Sequence, residues 1–263
     1  MAIVVAGIII AGAVFFSGKP TTENQSGNSK TNTEKAVLGI ENDKTLITVK
    51  PVSPNEHILG NPNADLIFIE YSDLECPFCK VFHKTMNQLL NQYAKDGKLA
   101  WVYRQFPIQE LHAKAQKESE ASECVASLGG NAKFWEYIGK IFTITPSNDR
   151  LDPDRLPVLA SEIGIDKNSF LDCWQNGKMA STVESDYQDG LKAGVHGTPH
   201  TVILTKKLIS NETKKLLLPL YEKFRTPPNY EIPIFFGDDN KTIGLSGAMP
   251  LNILTHSIDL LLK

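Results

Sequence analysis

The sequence predicts an α/β fold interrupted by a block of helices, and three observations carry that prediction. A strand–helix–strand unit spans about 66–106, an almost purely helical stretch runs from about Leu111 to Ala193, and extended character returns at Thr201, directly after Gly197-Thr198-Pro199. Consecutive strands joined through a helix run parallel in one sheet. The run Leu66-Ile67-Phe68-Ile69-Glu70-Tyr71 is almost continuously apolar and of strand length, the pattern of a central strand covered on both faces.

A helix follows from Pro77, which suits a first helical position because no N–H is needed there and its fixed φ already matches the helix. Phe78, Val81, Phe82, Met86, Leu89, Leu90 and Tyr93 recur at helical spacing, and Asp96-Gly97 stops them. Leu99 to Phe106 reads as the second strand, ended at Pro107. The helical block, inserted over about 108–193, divides at Gly, Pro and Asp/Asn breaks into Ala113–Leu128, Phe134–Phe142, Pro153–Ile163, Lys167–Asn176 and Met179–Lys192. Its aromatic residues Phe134, Trp135, Tyr137 and Phe142 read as core. Strands at Thr201–Leu204 and Thr242–Leu245 and a helix over Pro250–Leu262 complete the chain, with a further helix expected over Glu212–Phe224 and a Pro-rich return through Pro227, Pro228 and Pro233. That order of elements is thioredoxin-like topology with an inserted helical subdomain.

The 263 residues are 41% hydrophobic and 22% charged, enough for one elaborated domain with a sizeable core. A net charge of -3 with scattered Lys and Arg gives no reason to expect nucleic acid. Ala2 to Phe16 holds no charge and reads as a membrane signal-anchor (segment 1–18), the alternative being a signal peptide cleaved near Ala11-Gly12-Ala13. Either sends the rest of the chain out of the cytoplasm. Residues 19–53 read as a flexible linker, with polar Ser17 to Lys35 unable to bury surface and Leu46, Ile47 and Val49 suggesting a short edge strand before a domain over 54–263.

Cys76-Pro77-Phe78-Cys79 sits where the first strand hands over to its helix. A thiol is a nucleophile only as thiolate, and a helix N-terminus supplies free N–H groups and partial positive charge to stabilise one. Cys79 falls one turn on, where a disulfide with Cys76 can close. A zinc site needs about four N/S ligands, and Cys124 and Cys173 are lone cysteines with no His-x-x-x-His pattern beside them. Redox chemistry is therefore favoured over a metal site or an inert pair, with Cys76 as exposed attacking thiol and Cys79 as buried resolving thiol; no metal and no cofactor is expected. Cys124 and Cys173 both lie in the helical block, and in an oxidising compartment they suit a structural disulfide, the alternative being two inert core thiols.

These residues, with Ile58-Leu59-Gly60-Asn61-Pro62, Glu70-Tyr71-Ser72-Asp73, Tyr103-Arg104-Gln105-Phe106-Pro107, Phe134-Trp135-Glu136 and Gly194-Val195-His196-Gly197-Thr198-Pro199, make the chain resemble the DsbA-like thiol:disulfide oxidoreductases in their membrane-anchored bacterial form. The resemblance implies that Pro199 is a cis-proline lying against the dithiol, with Thr198 before it. It also implies reduced secreted or envelope proteins as substrates and a membrane quinone-linked thiol oxidoreductase as recharging partner. Two departures stand out: Phe78 occupies the place where the strongest oxidants of the family carry His, and 206–240 is longer than the usual hairpin, a partner surface or an ornament. Asp73 and Glu75 should oppose a Cys76 thiolate, and His83 could partly offset them unless it is a solvated helix residue. The expected activity is an extracytoplasmic protein disulfide oxidase; the alternatives are an isomerase or reductase using the same dithiol, or a non-catalytic binding or chaperone module.

Overall fold

Alternating chain direction and one crossover helix build the sheet. In the computed structural model, which describes residues 47–225 and 232–263, the apolar run becomes strand β2 (Leu66–Ser72), followed by helix α1 (Pro77–Tyr93) and strand β3 (Leu99–Gln105). β2 and β3 pair in parallel with Leu66 opposite Leu99. A short strand β1 (His57–Gly60) lies antiparallel on the outer edge of β3. After the helical block, β4 (His200–Thr205) returns antiparallel on the other side of β2, and β5 (Ile234–Phe236) and β6 (Thr242–Ser246) finish the sheet in the order β1-β3-β2-β4-β6-β5. β2 is therefore central, and its side chains are buried except for half-buried Ile67.

The helical block is α2 (Ala115–Ile144), α3 (Arg155–Glu162), α4 (Lys167–Gln175) and α5 (Ala180–Lys192), and the chain ends with α6 (Asn211–Tyr221) and α7 (Leu251–Leu261). The two helices expected over 113–128 and 134–142 both form within α2, separated by a kink at Gly130, whose φ 79 and ψ −178 are not helical. Phe134, Trp135, Tyr137 and Phe142 are all buried, the core role expected of them. Gly190 of α5 carries no side chain because a Cβ would come within 2.5 Å of the Phe106 ring, so the helix seats directly on the sheet. α6 packs on α7 through buried Leu217 and Tyr221, whose hydroxyl meets Ser257 Oγ at 2.9 Å.

Two expectations need correcting. Over the described part of the expected edge strand, residues 47–53, no regular structure forms although the segment is not a free tether, and the edge strand lies at His57–Gly60; 37–46 lie outside the described residues. Ile47, Val49 and Val52 pack against Ile69, Tyr71 and Val102, and the Lys50 N–H donates to Asp189 Oδ1 at 2.7 Å. Buried Arg104 completes the tie by donating to the Lys50 carbonyl at 2.9 Å, Glu56 at 2.8 Å and Asp189 at 2.7 Å. The packed domain thus begins before residue 54. The segment 1–18, the polar tether and the pair Pro227-Pro228 lie outside the described residues. Among the described residues no helix is long and apolar enough to cross a membrane.

Candidate active site

Four residues, Asp73 to Cys76, connect β2 to α1, and buried Asp73 fixes their path. Its carboxylate accepts from the Glu75 N–H at 2.8 Å, the Ile108 N–H at 2.9 Å and His112 Nδ1 at 2.9 Å. Cys76 is the N-cap residue of α1, at φ −75 and ψ 122, and Pro77 occupies the first turn. Cys76 and Cys79 are free thiols and both are buried, at 4% and 0% exposure. Cys76 is thus far less exposed than the sequence suggested. The reason is the segment before β4: Thr198-Pro199 is a cis peptide bond, and Cys76 Sγ donates to the Thr198 carbonyl at 3.4 Å.

The two thiols are driven apart in acidity. Cys76 is lowered to about 6, first by the hydrogen bond from the Cys79 thiol, against the opposing effect of burial, then by Thr198 and by the Cys79 and Phe78 amides. The helix terminus, acting through these amides, is thus a lesser cause than expected. Burial pushes Cys79 well above an ordinary thiol, reinforced by Cys76 and Glu70. One sulfur is prepared to be a thiolate nucleophile and the other to hold a proton.

Three polar groups near the thiols were not assigned roles from sequence. Glu70, fully buried on β2, accepts from Trp101 Nε1 at 2.9 Å, and burial raises it to about 8. Ser72 lies beside both Glu70 and Cys79 and lowers both, although its hydroxyl has no hydrogen-bond partner among the described residues. The signal for Glu70 was present: it is the one charged residue within an apolar strand run. His112 is raised, mainly by its hydrogen bond to Asp73 and also by Cys76, so its charged form is favoured beyond that of a free imidazole. Nothing in the sequence around His112 distinguishes it from a surface histidine.

His83 does not play the part expected of it. It is buried at 8% exposure, tilted against Trp101 and Phe142, and burial lowers it to about 4, so it is neutral at physiological pH. Phe78, 64% exposed, and Val81, 57% exposed, instead present apolar surface on the first turns of α1. In the helical block, Cys124 of α2 and Cys173 of α4 form a disulfide with Cα atoms 5.9 Å apart. No group of three or more His, Cys, Asp or Glu suited to a metal occurs among the described residues.

A six-stranded sheet, a helical insert, and a dithiol at a helix start facing a cis-proline define a thioredoxin-fold protein. The chain belongs to the thioredoxin family: the family model described as Thioredoxin matches residues 52–218. Among solved structures it is similar in fold to DsbA2 of Pseudomonas aeruginosa, at TM-score 0.55 and 22% identity over 80% of this chain and 96% of that one. Oxidised BdbD of Bacillus subtilis is also similar, at TM-score 0.54 and 22% identity over 64% and 91%. In sequence it matches the Na(+)/H(+) antiporter NhaA 1 of Mycobacterium sp. strain KMS, 31% identical over 59% of this chain and 24% of that protein. NhaA 1 of Mycolicibacterium gilvum is 29% identical over 60% and 25%. The matched part of the chain spans about a quarter of the length of these relatives.

Proposed function

We propose that this domain is a thiol:disulfide oxidoreductase running as an extracytoplasmic oxidase, tethered through its N-terminal apolar segment and introducing disulfides into secreted or envelope proteins. The carrying observation is the split in acidity between Cys76, lowered to about 6, and Cys79, raised well above an ordinary thiol. In the oxidised enzyme, a substrate thiolate attacks Cys76 Sγ, and the electron pair of the Cys76–Cys79 bond leaves on Cys79. Glu70, still largely protonated at neutral pH and acting on Cys79, supplies the proton. A second substrate thiolate then attacks the mixed disulfide, and Cys76 departs as the stabilised thiolate. Two substrate thiols are oxidised and one enzyme disulfide is reduced.

The thermodynamic direction follows from the same sulfur. Below about pH 6 both folded and unfolded Cys76 are protonated; between about 6 and the ordinary thiol value of 9.0 only the folded protein is ionised, so the reduced form gains stability as pH rises through that window. The disulfide form has no thiolate to stabilise, so the gain favours reduction and makes the disulfide oxidising. Exposed Phe78 and Val81 beside Cys76 suit an unfolded apolar segment of substrate, and the Thr198-Pro199 backbone suits its extended chain. We assign recharging to a membrane quinone-linked thiol oxidoreductase, a reading that rests on the family resemblance and the apolar N-terminal run. The test is the Cys76/Cys79 reduction potential against glutathione. A value above about −200 mV is expected, and one at or below about −270 mV, the thioredoxin value, would make the domain a reductase.

A further inference from the structure

Beneath the Cys76 loop lies a second pair of acids that the exchange reaction does not use. Glu75 immediately precedes Cys76 and is fully buried, and Glu118 of α2 is buried at 1% exposure. Glu75 Oε1 accepts from the Leu151 N–H at 3.2 Å and faces the Thr145 hydroxyl at 3.5 Å, whereas Glu75 Oε2 and both oxygens of Glu118 have no donor among the described residues. A fully ionised carboxylate in that position would leave several lone pairs without either water or a donor, which is costly. The two carboxyls act on each other, Glu75 being among the causes that raise Glu118. With three of their four oxygens lacking any donor among the described residues, a proton on one of the two acids supplies the donor that their buried surroundings do not.

We propose that Glu75 and Glu118 share one proton and form a latch that holds the Cys76 loop against the helical block and opens when the second carboxyl ionises. Glu118 is the natural carrier, since burial and the neighbouring acids Glu75, Asp73 and Asp149 raise it to about 9. The surroundings supply little competing charge. Asp73 is engaged by His112 and two N–H groups, and Asp149 caps the Ala113 and Lys114 amides at 2.8 and 2.9 Å. From α1, the Lys80 ammonium donates to the Thr145 carbonyl at 2.5 Å, and Lys114 donates to the Leu151 carbonyl at 2.9 Å, so both lysines are committed to backbone. From α2, the Tyr137 hydroxyl is held on the Leu156 carbonyl at 3.0 Å. Segment 145–151 therefore reaches the Cys76 loop through Glu75 Oε1 and through the Asn148 N–H, which donates to the Glu75 carbonyl at 2.8 Å. Both residues are positioning groups: they touch no sulfur and act through the loop that carries Cys76. Only this effect on Cys76 rests on the dithiol reading; the proton itself does not.

The test uses the full chain, with carboxyl-carbon NMR of glutamate-labelled protein, the pH dependence of urea unfolding, and the rate of Cys76 alkylation. Two glutamates should titrate above neutrality, and Glu118→Gln should remove one of the two signals while leaving that of Glu70. Gln keeps a donor for Glu75 without an ionisable proton. Its stability advantage over the parent should therefore grow steadily as pH rises from about 4.5 to about 9, the window in which only folded Glu118 keeps its proton. Above that window the parent's alkylation rate should rise at least twofold relative to Glu118→Gln as the loop is released. If both proteins show the same alkaline carboxyl signals, or if Gln is the less stable most strongly at neutral pH, the shared proton does not exist. If the carboxyl titrates as described but alkylation stays parallel in the two proteins, the latch is refuted while the oxidoreductase assignment stands. An unreactive Cys76 at every pH would refute that assignment instead and leave the NMR and unfolding results to judge the proton.

Discussion

Two cysteine pairs in one domain have opposite surroundings. Cys124 and Cys173, 49 residues apart, are buried in the apolar core between two helices, and they are joined. Cys76 and Cys79, three residues apart and equally buried, are free thiols surrounded by Glu70, Ser72, Thr198, His112 and the start of a helix. Burial therefore does not separate a structural bridge from a reactive dithiol. What separates them is whether the neighbourhood treats the two sulfurs differently: the packed helices offer both the same apolar wall, while the loop stabilises an anion on one sulfur and a proton on the other.

The largest effect expected from breaking this contrast is on exchange itself. Cys76→Ser should reduce thiol–disulfide exchange to background with folding intact, and Cys79→Ala should accumulate mixed disulfides that survive on non-reducing gels. Exchange surviving the loss of Cys76 would remove the distinction between the pairs. Replacing both Cys124 and Cys173 by Ala should do the reverse, leaving the Cys76 titration in place while costing about 4 kcal/mol in urea unfolding, from the chain-entropy value for a loop of 49 residues. An undiminished midpoint would mean that the bridge is not structural.

Glu70 sharpens the contrast next. Its proton is retained in the folded protein up to about pH 8 but lost near 4.5 when unfolded, so its burial costs increasing stability as pH rises between those values. Glu70→Gln should therefore stabilise the protein by a few kcal/mol at pH 8 and hardly at all near pH 4. It should also slow mixed-disulfide formation about a hundredfold at neutral pH, the usual worth of a positioned acid. Faster unfolding with unchanged exchange would show that Glu70 is a packing residue only.

The fold was legible because its signals are local. An apolar run, a proline at a helix start and a Gly-Thr-Pro break before a strand each determine their own element. Strands β1 and β5 escaped because four and three residues carry too little pattern to mark a strand; tertiary pairing with β3 and β6 makes them. The reactive pair was legible for the same local reason. Its tuning was not, because Glu70, His112 and Thr198 come from three separate stretches and meet only after the sheet assembles.

The smallest effects are those that weigh these neighbours against one another, and the two histidines make the decisive pair. In sequence His83 is the better candidate, one turn beyond Cys79 on the same helix, while His112 stands far off in a loop. The structure reverses them: His83 is neutral between aromatic rings, and His112 is raised by its hydrogen bond to Asp73 within the field of Cys76. The ultraviolet thiolate absorbance of reduced protein should show a midpoint near 6, moving furthest upward in Cys79→Ala because that thiol is the leading cause of the shift. His112→Asn should move it upward by less, since a charge acting across the loop is weaker than a direct hydrogen bond. His83→Phe should leave it unchanged. A larger response at His83 than at His112 would mean that the helix, and not the Asp73 loop, supplies the cation that Phe78 fails to provide.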